Sequence, residues 1–475
     1  MPSDTDFPAA DTLTSERIVH TAMDRTAQAR PDVFAGQHSV LFMPESMWRL
    51  VSESGMTPVS ELAEGVRGAG EPKGRLQAMA LAREHAGGHA VAEVVSERLA
   101  SKGFGRLDIA QKERSDQSTV RSLDGLNMAV ALPRNEDDLA KIGEAIPEGC
   151  VAVQDFDVGF VSPVFRSEAR VAADDEHNWP EDSGIAEARE SGNQGGGVLV
   201  GVLDTGVDAG HSEFTGRQID YRYVSFYPGF WPHRDVHGFD TDGHGTHVSG
   251  IIAGNSVGVA PGVRLFVASV IESETIMTSL SRVAVGLDWL LRNFSTEETE
   301  NMPGIINMSL GFPPTAPPGV PAASYQQRIN TMRALIYQIW LADILPVVAI
   351  GNDGPGKFGQ PGGFRDVVAV GAVDYGANVA SFSGDAPPGT TPSPKPDVFG
   401  YGVDVFSSLE RDYSGNSHYA DMSGTSMATP YVSGIAALYR SRQSMTAQRT
   451  EATLKANAAP VSGHNPANAG LVRYV

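Results

Sequence analysis

Three short segments of this chain place an Asp, a His and a Ser where they could share one reaction. They are Val202-Leu203-Asp204-Thr205-Gly206, Asp242-Gly243-His244-Gly245-Thr246-His247 and Ser423-Gly424-Thr425-Ser426-Met427-Ala428-Thr429-Pro430. A serine hydroxyl is a weak nucleophile until an imidazole takes its proton, and the imidazole in turn needs an acceptor that fixes its tautomer. The order Asp204, His244, Ser426 supplies that set on three separate loops. It points to acyl transfer through a covalent intermediate.

Each setting suits its residue. Asp204 closes the apolar run Val198–Leu203 and turns at once, whereas Asp208, within that turn, reads as structural. His244 sits between glycines ahead of an apolar helix, Val248–Ala253, and His247 follows three residues later. Spacing alone leaves the choice between the two histidines near even. Zinc is disfavoured because the His-Glu-x-x-His pattern is absent and no third ligand stands nearby. Ser426 opens the apolar stretch Met427–Leu438, where a helix N-terminus offers a free N–H and a positive dipole end. Asn352 follows the buried run Val347–Ile350 and Gly351, so its amide can project into the same region. Taken singly, Asp204 and Ser426 would pass as ordinary caps and Asn352 as a turn residue.

Together these segments resemble the subtilase family of serine proteases, densely over residues 198–434 and more thinly elsewhere. The resemblance makes His244 the general base, leaves His247 to packing, and makes Asn352 the side-chain oxyanion donor beside the Ser426 N–H. It also implies that Ser309, Leu310 and Gly311 form a strand edge that pairs with an extended peptide. Gly351 then lies beside that peptide, and Gly359, in Gly359-Gln360-Pro361-Gly362, leaves room in the opposite wall of the primary pocket. No carboxylate stands in these pocket segments, so an apolar residue before the scissile bond is favoured over a basic one. The chemistry requires no cofactor. The stretch Gly254–Pro261 is shorter than the family's calcium-ligating loop, which puts that structural metal in doubt, since calcium takes six to eight oxygens. Gly400-Tyr401-Gly402 replaces the family's usual Ala-Pro-Gly, and insertions at 294–303 and 312–323 decorate the surface.

The elements that must position these residues are legible as well. Short β-branched runs at 198–203, 265–270, 304–308, 346–350 and 367–370 alternate with helical stretches at 281–292, 325–342 and 426–440. Continuous apolar strands between helices indicate an α/β unit with a doubly wound, mostly parallel sheet covered on both faces. We assign it to residues 179–475, as the resemblance implies a subtilisin-like fold. Residues 37–159 read as a small α+β unit. It has a strand at Val40–Met43, helical spacing over 46–62 and 76–99 with a break at 65–74, a hairpin at Asp124-Gly125, a helix over 136–146 capped by Asn135, and a closing strand at 151–156. That β-α-β-β-α-β order is ferredoxin-like, and it is also the order of subtilase propeptides, which fold and inhibit their enzymes. Residues 1–36 read as a polar arm, and 160–178 as a loose linker carrying a processing site.

The formal charge of −21 is spread along the 475 residues and no basic block occurs, so neither nucleic acid nor an anionic membrane is an expected partner. The one cysteine, Cys150, reads as a packed thiol and excludes internal disulfides. No leader-like or membrane-length apolar run is present, which predicts a cytoplasmic site of synthesis. The expected partners are an extended peptide substrate and the chain's own N-terminal unit acting as inhibitor. The rivals are an N-terminal unit retained for regulation or partner binding, and a non-catalytic peptide-binding relative.

Overall fold

The computed structural model describes residues 39–475 apart from 54–58, 71–73, 86–89, 108–116, 172–178, 225–237, 274–277, 317 and 444. The arm expected at 1–36 lies outside the described residues. The first unit contains β1 (Val40–Pro44), α1 (Glu45–Glu53), α2 (Val59–Gly70), α3 (Arg75–His85), α4 (Val91–Ser101), β2 (Gly105–Leu107), β3 (Thr119–Leu123), β4 (Met128–Leu132), α5 (Glu136–Ala145) and β5 (Cys150–Gln154). Its sheet runs β2-β3-β4-β1-β5, with β1 antiparallel to both neighbours and β3 antiparallel to β4. Alternate residues along a strand point to opposite faces. Val40, Phe42, Val120, Ala129 and Ala131 accordingly pack with α4 and α5. Leu41, Met43, Leu123, Met128 and Val130 belong instead to the core of the larger unit.

Two helical spans differ from the sequence reading. The run at 76–99 is two helices, α3 and α4, and Gly87-Gly88, a poor helix-forming pair, separates them in the sequence. The run at 46–62 is likewise two, α1 and α2, with Gly55 and Pro58 between them, and α2 continues to Gly70 through the expected break. The Asn135 cap takes the Asp138 N–H at 2.8 Å.

The chain then passes through β6 (Asp157–Phe160), β7 (Phe165–Arg166) and α6 (Ile185–Glu190) into the larger unit. There follow β8 (Leu199–Asp204), β9 (Ile219–Tyr223), α7 (His244–Ala253), β10 (Arg264–Ser269), β11 (Thr278–Ser279) and α8 (Leu280–Phe294). Next come β12 (Gly304–Met308), β13 (Leu310–Gly311), α9 (Ala322–Leu341), β14 (Ile344–Ala349), β15 (Val368–Val373) and β16 (Val398–Tyr401). β17 (Val405–Leu409), β18 (His418–Ser423), α10 (Thr425–Arg442) and α11 (Ala447–Ala456) complete it. The central sheet has the order β16-β15-β14-β12-β8-β10-β9, and every neighbouring pair is parallel. All residues of β8, β14 and β15 are buried, as a sheet covered on both faces requires. The strand order reverses at β8, so the carboxyl end of that strand opens onto the crevice where such sheets hold ligands. Among the described residues no helix is long and apolar enough to cross a membrane.

The two units dock through polar anchors around the shared core. Arg75 is buried and donates to the carbonyls of Phe294 and Ala342 (2.7 Å), at the negative ends of α8 and α9, and to the Met302 carbonyl (2.9 Å) in the turn before β12. Asp155 caps α8 by accepting from the Ser281 N–H at 2.9 Å. Asp288, buried on α8, accepts from the Gly125 N–H at 2.7 Å and pairs with Arg292 at 3.1 Å. Burial pushes the Asp288 carboxyl up to about 6, against the opposing pull of Arg292. A raised acid pKa stabilises the fold at low pH, and that contribution is lost as pH rises through about 6. We therefore expect the stability of wild type relative to Asp288→Asn to fall by up to about 3 kcal/mol between pH 4 and pH 7.5. Thermal unfolding of both across that range checks it, and a pH-independent difference refutes it.

Candidate active site

Asp204 is the last residue of β8, and His244 is the first of α7 rather than part of a preceding loop. His244 Nδ1 lies 2.8 Å from Asp204 Oδ1, with both side chains fully buried. The contact depends on how closely the two segments approach. A Cβ on Gly245 would fall 2.2 Å from the Gly206 carbonyl oxygen, so only glycine lets α7 begin against the turn after β8.

Asp240, which the sequence reading did not single out, ties these segments together. One carboxylate oxygen accepts from Thr205 Oγ1 at 2.7 Å; the other accepts from the Thr246 N–H at 2.6 Å and the Thr246 hydroxyl at 2.7 Å. Thr205 Oγ1 in turn accepts from the Gly245 N–H at 2.9 Å. His247 faces the Ala420 carbonyl at 3.1 Å, and burial pulls its imidazole down to about 3, so it stays neutral. Asp208 pairs with Arg411 at 2.9 Å, which makes it structural, as its turn position suggested.

Ser426, second in α10, is buried, and its hydroxyl donates to the Val161 carbonyl at 2.5 Å. Asn352 follows β14. Its Oδ1 accepts from the N–H and the hydroxyl of Thr425, each at 2.8 Å, which leaves Nδ2 to donate to the Ser162 carbonyl at 2.7 Å. Thr425 thus orients the amide, a role that no motif signalled. The resemblance paired Asn352 with the Ser426 N–H on one oxygen. Here the side chains of Ser426 and Asn352 engage successive carbonyls of one segment.

That segment runs into the stretch 160–178 expected to be a loose linker; residues 160–170 of it are paired instead, and 172–178 lie outside the described residues. β6 is the middle strand of three, between β11 and β13, with Val158 opposite Thr278 and Gly159 opposite Gly311. Phe160 stands opposite Leu310, and the Val161 N–H donates to the Ser309 carbonyl at 3.1 Å. Beyond the nucleophile the Val164 N–H donates to the Ser423 carbonyl at 2.8 Å, and β7 pairs antiparallel with β18. Pairings this short, interrupted by Pro163, carry no period that a sequence reading could detect. Ser309, Leu310 and Gly311 are therefore in contact with the segment. Gly351 and Gly359 lie at the turn after β14, where the Gly359 N–H donates to the Ile350 carbonyl at 2.8 Å.

Near the shortened loop, the buried Glu213 carboxylate accepts from the N–H groups of Ser256 (2.8 Å) and Val257 (3.2 Å) and from the Tyr419 hydroxyl (3.0 Å). Among the described residues no group of three His, Cys, Asp or Glu is placed to hold a metal. Cys150 is buried and its thiol is pushed up to about 12 by burial, which leaves it chemically quiet.

The Asp204–His244 pair thus lies at the carboxyl end of β8, and Ser426 lies at the N-terminus of α10. Residues 195–472 match the model of the Subtilase family, and the chain belongs to that family. It is 49% identical over 305 residues to the Subtilisin-like protease PopC of Myxococcus xanthus, covering 63% of this chain and 64% of that one. It is 33% identical over 294 residues to Subtilisin Savinase of Lederbergia lenta, covering 60% of this chain and 92% of that one. The chain thus spans just under two thirds of the PopC relative. A solved cold adapted subtilisin-like serine proteinase aligns at 28% identity and a TM-score of 0.46, over 59% of this chain and 90% of that one.

Because Asp240 holds the turn after Asp204 and the start of α7 in one hydrogen-bonded frame, Asp240→Ala should loosen the Asp204–His244 contact. Peptide hydrolysis is expected to fall about ten- to a hundredfold in kcat, with KM changed less. Steady-state kinetics, with circular dichroism to confirm folding, tests this; an unchanged kcat refutes it.

Proposed function

We propose that the chain is a serine endopeptidase produced with its own segment lodged in the cleft. Ser426 Oγ attacks the scissile carbonyl, and His244 accepts its proton and returns it to the leaving amine. Asp204 holds the imidazole in the right tautomer. Asn352 Nδ2 and the Ser426 N–H stabilise the oxyanion, the former because Thr425 fixes the direction of its amide. No cofactor takes part. Ser309, Leu310 and Gly311 give an extended substrate a strand edge to pair with, and Gly351 and Gly359 shape the facing wall.

One observation carries the inhibited state: the Ser426 hydroxyl lies 2.5 Å from the Val161 oxygen of a strand paired on both sides of it. In that position the hydroxyl proton is spent on the substrate oxygen, and Asn352 holds the next carbonyl, so the arrangement is a resting one. A shift of one residue presents the Val161 carbonyl to Asn352. Attack at Val161 then forms the acyl bond, breaks the Val161–Ser162 amide and releases the Ser162 amine with the proton from His244; water hydrolyses the acyl-enzyme. The following bond is a poorer choice, because its nitrogen belongs to Pro163 and carries no hydrogen. Residues 37–159 act in this reading as an inhibitory, propeptide-like unit. The apolar core shared between the two units favours a second reading, in which that unit remains bound after the cut as a regulatory subunit.

Wild type is accordingly expected to yield a fragment with Ser162 as its new N-terminus, while Ser426→Ala and His244→Ala remain single chains that hydrolyse no peptide. N-terminal sequencing, intact mass and a fluorophosphonate probe read this out. A Ser426→Ala chain with wild-type activity removes the catalytic assignment, and an uncut, fully active wild type removes the inhibitory one. With Glu213 satisfied by the short loop, chelator is expected to shift Tm by no more than about 2 °C, since an absent site contributes no linkage. A large shift in EDTA would reveal a tight cation site.

A further inference from the structure

The part of the bound segment that lies beyond the nucleophile is more than a tether. From Val164 onward it runs along the edge of β18. Phe165 stands opposite Ser423 and Arg166 opposite Met422, the Ser167 N–H donates to the Asp421 carbonyl at 2.9 Å, and Arg170 exchanges main-chain bonds with Tyr419 at 2.9 and 2.8 Å. Arg166 stands opposite Met422 and Arg170 opposite Tyr419, so four residues of the segment run past three of β18 and one extra residue lies between the two pairings, as in a β-bulge. Both meet carboxylates. Arg166 reaches Asp242 Oδ1 at 3.5 Å, donates to the Asp242 carbonyl at 2.9 Å, and lies 3.7 Å from Glu410 Oε2. Arg170 pairs with Asp421 at 3.1 Å and lies over the Phe406 ring at 4.8 Å.

These acids belong to the cleft. Asp242 is two residues before His244, Glu410 directly follows β17, and Asp421 lies within β18, which leads to Ser426. The space that brings Arg166 to them comes from Gly243, at φ 91°, where a Cβ would sit 1.9 Å from Glu410 Oε2 and 2.6 Å from the Arg166 guanidinium. Withdraw the segment, and three carboxylates line this edge without the two guanidinium groups that faced them. Burial, with Asp240 and Asp242 adding to it, raises the Glu410 carboxyl while Arg166 opposes the rise, which marks the pair as mutually dependent.

The geometry points to an acidic recognition strip on the leaving-group side of the cleft, which selects protein substrates with basic residues four and eight positions after the residue whose carbonyl Asn352 holds. The chain's own Arg166 and Arg170 occupy it until it is vacated. This rests on the protease reading proposed above, with Asn352 holding the carbonyl that is attacked. It extends that reading from a cleft that tolerates any extended peptide to one that prefers a basic segment downstream. The preference arises where the pairs are partly desolvated and hydrogen-bonded to main chain, so about a three- to thirtyfold effect is expected rather than absolute selection.

Internally quenched peptides spanning both sides of the cut, identical except for Arg, Ala or Glu at the fourth position after the scissile bond, test it on the full chain after self-cleavage. Wild type should cleave the Arg peptide about tenfold faster in kcat/KM than the Glu peptide, and the ratio should shrink between 50 mM and 500 mM salt. Glu410→Lys should invert the ratio. Reading a ratio within each enzyme separates selectivity from any loss of folded protein. In the uncut chain, Arg166→Glu should speed fluorophosphonate labelling of Ser426, and Arg166→Lys should restore the wild-type rate. Equal cleavage of the Arg and Glu peptides by wild type, or a ratio untouched by Glu410→Lys, overturns the strip while leaving the protease reading intact. A chain that cleaves neither peptide and takes no probe overturns both.

Discussion

The site depends on one approach: α7 begins where the turn after β8 ends, with no room between Gly245 and Gly206 for a side chain. From that contact follow the 2.8 Å Asp204–His244 pair, the burial of both groups, and the frame in which Asp240 holds Thr205 and Thr246. A hydrogen bond of this kind gains strength because water is excluded, and an unsatisfied partner in the same place would be costly for the same reason. The parallel sheet supplies the rigidity. β8 lies between β10 and β12 at the reversal of strand order, so the strand that carries Asp204 cannot shift without disturbing two neighbours.

The cleft itself is a set of strand edges. β11, β13 and β18 each present main-chain donors and acceptors that must be paired with something, and residues 157–170 pair with all three. In the inhibited state proposed above, inhibition and substrate binding draw on the same hydrogen bonds, and a substrate must displace a strand that is covalently tethered. Tethering gives that strand an effective concentration in the millimolar range or above. A modest peptide affinity is thus enough to keep the cleft occupied, and cutting the tether is what changes the balance.

Much of this was legible in the sequence because it is local. Asp204, His244 and Ser426 each sit in a segment whose glycines and apolar flanks match their task, and β12 was readable to the residue because Ile305, Ile306 and Met308 mark a strand buried on both faces even with Asn307 among them. What was not legible depends on pairing between distant segments. Asp240 looks like any loop acid until Thr205, 35 residues earlier, is seen to donate to it. Thr425 looks like a helix-start residue until Asn352 turns toward it. Residues 160–170 looked like part of a linker because their partners are edges scattered from Ser309 to Ser423, and no pattern within the segment records them. The single helix read over 76–99 failed for a local reason: the Gly87-Gly88 pair was given less weight than the apolar spacing on either side.

Cutting the segment and losing the N-terminal unit are separate events, and their energetics differ. The cut breaks one covalent bond within the half-buried segment held by Ser426 and Asn352. Release must also free Arg75 from the carbonyl ends of α8 and α9 and uncap α8 at Asp155. It must expose Leu41, Met43, Leu123 and Met128, all fully buried against the larger unit. At about 1.5–3 kcal/mol for each such side chain, these four alone oppose dissociation by several kcal/mol, before the matching apolar surface on α8 and α9 is counted. An enzyme built this way gains access to its cleft when the strand at 157–170 leaves the edges of β11, β13 and β18, and this does not require the β1–β5 sheet to move at all. Under the second reading proposed above, the N-terminal sheet remains part of the folded enzyme and holds α8 and α9 in place, while the strand that follows it alone blocks the cleft.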